Sequence, residues 1–102
     1  MLFQIKLHNK KEFTKIDFES LIEKLTRKFQ DWQFKDMGGL STIKDSIHYH
    51  ISSKNKDEKG VLEITFDPSL SLTVILKIAK NRYSEWTSNA LNEAMQFIET
   101  YD

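Results

Sequence analysis

His48 and His50 flank Tyr49 in the stretch SIHYHISS, residues 46–53. On a β-strand successive side chains alternate, so the two imidazoles share one face while Ile47, Tyr49 and Ile51 share the other. Their Cα atoms then stand about 6–7 Å apart, near enough for both rings to reach one metal ion. His8 or Glu63 could complete a ligand set of His8, His48 and His50, or of the paired histidines with the carboxylate, if a neighbouring strand carries it alongside. The same residues also read as polar side chains facing water, because no hydrogen-bond partner that would orient either ring stands nearby in sequence.

Other chemistry finds less support. Ser46, Ser52 and Ser53 lie close to histidines along the chain, yet no nucleophile-elbow spacing surrounds them. Gly38-Gly39 lacks the further glycine and the lysine of a phosphate-binding loop. The absence of cysteine excludes disulfides, thiolate nucleophiles and thiolate metal sites. Lys80 and Arg82 precede a helix start, where an anion would be favoured, but solvated cations in an ordinary connection explain them as well. The balance is against an enzyme, and no cofactor is expected.

Charge narrows the partners. The 15 basic and 15 acidic residues cancel, with a net of +3 over residues 1–60 and −3 over residues 61–102. That asymmetry gives a weak dipole rather than a nucleic-acid footprint. Lysine outnumbers arginine 13 to 2, and arginine is the residue that forks onto bases and phosphates, so nucleic acid is an unfavoured partner. No apolar run approaches the roughly 18 residues that span a bilayer. The start, MLFQIKLHNKK, puts apolar residues before charge, the reverse of a signal peptide, so no membrane and a cytoplasmic location are expected. The Lys, Ile and Asn bias suggests an AT-rich coding genome, and bacterial immunity proteins are often small single domains of this kind.

These residues need elements to position them. LFQIKLH alternates as a strand, with Phe3, Ile5 and Leu7 on one side. From Phe18 the period changes: Leu21, Ile22, Leu25, Phe29 and Trp32 form a helical stripe, opened by a Thr14/Asp17 capping box and a Phe13/Phe18 staple. QFKDMGGLSTIKD has no clear period and holds either a short extra strand near Gln33–Lys35 or an irregular crossing; it is the expected functional loop. IHYHIS, VLEITF and LSLTVILKIA then read as three strands joined by short polar turns, an antiparallel meander. SEWTSNALNEAMQFIETY closes the chain as a helix, capped by Ser84 or Thr87.

At 102 residues one α+β domain covers 1–102. The expected fold is a two-layer sandwich in β-α-β-β-β-α order: a largely antiparallel four-stranded sheet with two helices on one face. The other face then carries His48, His50, Glu63, Thr73, Ile75 and Lys77. We expect a small non-catalytic protein-binding module, an inhibitor or immunity-type protein, using that open face and the Gly38-Gly39 loop toward a protein partner or a homodimer. The alternative is a metal-dependent or acid–base enzyme using His8, His48, His50 and Glu63.

Overall fold

The computed structural model describes residues 1–101. Their elements are β1 (Leu2–Lys6), α1 (Lys15–Lys28), β2 (Trp32–Asp36), β3 (Ile47–Ser53), β4 (Leu62–Phe66) and β5 (Thr73–Lys77), then a 3₁₀ turn (Lys80–Arg82) and α2 (Glu85–Glu99). The fold is α+β. Its sheet has five strands in the order β1-β5-β4-β3-β2, every neighbouring pair antiparallel. From β2 to β5 the chain runs as a meander, and the segment containing α1 carries it from one sheet edge to the other.

The expectation of four strands is corrected by β2. Phe29 and Trp32 are spaced as a helix would space them, which hides the end of α1 at Lys28. Phe29 caps the helix, donating its amide to Leu25 O at 2.9 Å, and the chain then extends. Trp32 and Phe34 alternate with Gln33 and Lys35, so the two aromatic rings share one side of β2, with exposed Asp36 at its end, while its backbone pairs with β3. Trp32 still meets Phe29, the rings stacked at 4.0 Å between centroids. The same apolar contact is made from a strand instead of a helix.

Local chemistry marks both helix starts. At α1 the Thr14 hydroxyl accepts from the Asp17 amide while the Asp17 carboxylate accepts from the Thr14 amide at 2.8 Å. Those bonds from Thr14 hold the Asp17 carboxyl below the usual aspartate value. At α2 both candidate residues take part in one box: Ser84 is the cap and Thr87 returns the bond at 2.8 Å. Ser84 Oγ also donates to Lys59 O, tying the β3–β4 connection to the helix start. Among the described residues, no helix is long and apolar enough to cross a membrane.

The core lies on one sheet face. Register places Trp32, Phe34, Ile47, Tyr49, Ile51, Leu62, Ile64, Phe66, Val74, Leu76 and Ile5 on that side. Phe18 of α1 stacks on Phe66 at 5.6 Å and tilts against Tyr49 at 6.2 Å. Trp86 of α2 meets Trp32 edge-on at 6.1 Å. Both helices therefore contact the same face of the sheet. Burying one such side chain is worth about 1.5–3 kcal/mol, so this apolar side dictates strand register.

Candidate functional site

The opposite face is built by the alternate residues. Across the sheet, register aligns Leu2, Lys77, Glu63, His50 and Lys35 in one row, and Gln4, Ile75, Thr65 and His48 in the next. Lys6 stands opposite Thr73. Lys6, Lys35, Lys77, Gln4, Gln33 and Leu2 are exposed, while His50, Glu63 and Ile75 are half-buried. The strand residues on this side thus present three lysines against one carboxylate.

Two of the expected surface residues lie lower than the sequence suggests. Thr73 is 2% exposed and its hydroxyl donates to Ser71 O at 2.8 Å. His48 is 8% exposed. Both underlie the face rather than form its contact surface. Gly38 and Gly39 are exposed, and Gly38 stands beside His48 rather than apart from it.

That juxtaposition arises from a bulge at the end of the β2–β3 ladder. Met37 donates its amide to His48 O at 3.0 Å, and the His48 amide donates to Gly38 O at 2.9 Å, so two residues oppose one. Gly38 takes φ +74°, a conformation glycine reaches without steric cost, and its amide donates to Asp36 Oδ1 at 2.8 Å. Gly39 is needed for another reason: a Cβ there would stand 2.9 Å from Ser46 O. The bulge aims the Gly38 carbonyl at the His48 ring, 3.0 Å from Nδ1. A carbonyl only accepts, so the bond is made with a proton on Nδ1, and in the neutral ring that tautomer leaves the lone pair on Nε2. This is the orienting partner that the sequence does not display.

His50 and Glu63 face each other across β3 and β4, with Nε2 and Oε1 at 3.8 Å, longer than a hydrogen bond. The His48 and His50 rings meet edge-on at 5.5 Å. Burial holds the His50 imidazole below its ordinary value; Glu63 opposes that shift, while His48, Arg82 and Lys35 add to it. One ligand atom from each of His48, His50 and Glu63 lies within 4.8 Å of the other two.

His8 does not join them. It follows β1, at the far edge of the sheet, about 14 Å from β3 at three strand spacings. There it lines a shallow depression with Phe3, Met95 and Glu99. A sheet of four strands leaves out Lys35, and the sequence pattern gives no sign that Leu2 is 55% exposed. The alternation in WQFKD was the available signal for Lys35.

Comparison with protein-family models, with curated proteins and with solved structures finds no match to this chain.

Proposed function

We propose that this chain works by stoichiometric binding of a protein partner through the sheet face turned away from its helices, as an inhibitor of the immunity type would. The fold is read as two layers, and Leu2, Gln4, Lys6, Lys35 and Lys77 are the exposed side chains of that face that a partner would meet. The observation that carries the proposal is the charge of the face: Lys6, Lys35 and Lys77 stand against Glu63 alone, with Leu2 and Ile75 as apolar contacts among them. Such a surface complements an acidic one. Opposed potentials would steer encounter and set orientation, while the apolar residues would supply desolvated contact. The occupant proposed is therefore an acidic surface or segment of another protein.

A second copy of this chain is the competing occupant, since α2 carries Glu85, Glu93 and Glu99 and no Lys or Arg. A fluorescent glutamate-rich peptide followed by anisotropy tests the charge complementarity. Saturable binding that weakens about tenfold or more in the Lys35→Glu, Lys77→Glu double variant is expected, since like charges would then face each other. Unchanged affinity would overturn the assignment of the face. Mass that rises with protein concentration in light scattering, and is abolished by the same double variant, would assign the face to self-association instead.

A further inference from the structure

We propose that His48, His50 and Glu63 form a binding site for a divalent transition-metal ion of the zinc class. The proposal rests on the side-chain cluster alone and stands whether or not the face binds a partner.

Three observations converge. First, the ligand atoms already lie within 4.8 Å of one another. Tetrahedral zinc with bonds of 2.0–2.2 Å separates its ligand atoms by about 3.4 Å, so the set must contract by about 1.4 Å at most. Half-buried His50 and Glu63 can supply that by small side-chain rotations. Second, His48 is set in advance. Its ring is buried and its Nδ1 lies 3.0 Å from Gly38 O, so in the neutral tautomer that donates there Nε2 is the nitrogen that would take the metal. A histidine ligand commonly donates its other ring nitrogen in this way, which fixes the tautomer and raises basicity. Third, His50 and Glu63 approach to 3.8 Å without bonding, leaving a space between complementary ligands that an ion would bridge.

Two imidazole nitrogens and one carboxylate oxygen select zinc-class ions over magnesium or calcium, which take oxygen. Three protein ligands leave a position for water or an anion, the pattern of an exchangeable ion. Lys35 lies directly across from His50 and Lys77 across from Glu63, and Arg82 acts on His50. These cations oppose a divalent ion and favour an anionic fourth ligand. Lys35, Lys77 and Arg82 are exposed, so their long chains can extend into solvent and be screened.

Calorimetric titration of the whole chain with zinc chloride tests the site, with cobalt absorption as a second readout of the ligand set. One saturable site is expected, with no matching response to magnesium chloride. His50→Gln and Glu63→Gln, both at half-buried positions, should each weaken zinc binding at least about tenfold while keeping the wild-type circular dichroism. His48→Ala should do the same, and His8→Ala should bind as wild type. Absence of saturable zinc binding would overturn the proposal. So would wild-type affinity in His50→Gln and Glu63→Gln, or an equal loss in His8→Ala.

Discussion

Tyr49 and His50 are neighbours in sequence and face opposite worlds. Alternation along β3 turns the Tyr49 phenol toward α1, where its hydroxyl donates to Glu19 Oε2 at 2.9 Å. Burial, and then that bond and the nearby carboxylates of Glu19 and Asp36, push the phenol up to about 12 from its ordinary 10.0. A raised folded-state value stabilises the neutral form, so the contribution is complete below pH 10 and is lost as pH rises through about 12. Urea unfolding between pH 9 and 12 should therefore show a falling stability in the wild type. Tyr49→Phe should be less stable by about 1 kcal/mol at neutral pH and should lose less across the alkaline range. Parallel pH profiles for the two proteins would contradict the assigned bond. The alternation that separates Tyr49 from the histidines was readable from five residues. The Gly38 carbonyl beside His48 was not, because it depends on a bulge formed by residues ten positions away. Neither was the burial of Thr73, whose polarity and strand position both suggest exposure.

Element boundaries follow the same division between local and distant causes. Thr14 and Asp17 announce α1, and Ser84 with Thr87 announces α2, because each box is complete within four residues. The end of α1 is concealed, since Phe29 and Trp32 satisfy helical spacing while serving a helix cap and a strand. Pairing with β3 settles it, and for Trp32 that partner, Ser53, lies some twenty residues downstream. The β3–β4 connection carries a similar hidden constraint at Gly60. Its φ is +104°, and a Cβ there would meet Ser84 Oγ and Thr87 Cγ2 at 2.5 Å and Arg82 O at 2.8 Å. An added methyl must either strain the backbone or push the connection off the α2 cap. Gly60→Ala should destabilise the protein by about 2 kcal/mol or more, measured as a lower urea midpoint with unchanged slope. Gly38→Ala, with positive φ but open space around it, should cost only about 1 kcal/mol. Equal stabilities for the two variants would contradict the close packing assigned to Gly60.

For the whole molecule the governing feature is how neutral totals divide over a folded surface. Sequence order already separates a net +3 in residues 1–60 from a net −3 in residues 61–102. Topology sharpens this by adding β2 to the sheet, which brings Lys35 into line with His50, Glu63 and Lys77. The α2 helix keeps its acidic residues with no basic ones among them. The antiparallel meander and the mostly one-sided apolar pattern of the elements were readable without coordinates; the fifth strand was readable only as an alternative to an irregular crossing near Gln33–Lys35, and its place in the sheet, on which the charge row depends, was not. Amide chemical-shift mapping during titration with a glutamate-rich peptide tests the docking reading most directly. Perturbations concentrated on β2, β4 and β5, around Lys35, Glu63 and Lys77, are expected. Shifts confined to α1 and α2, with those strands unmoved at saturation, would contradict it.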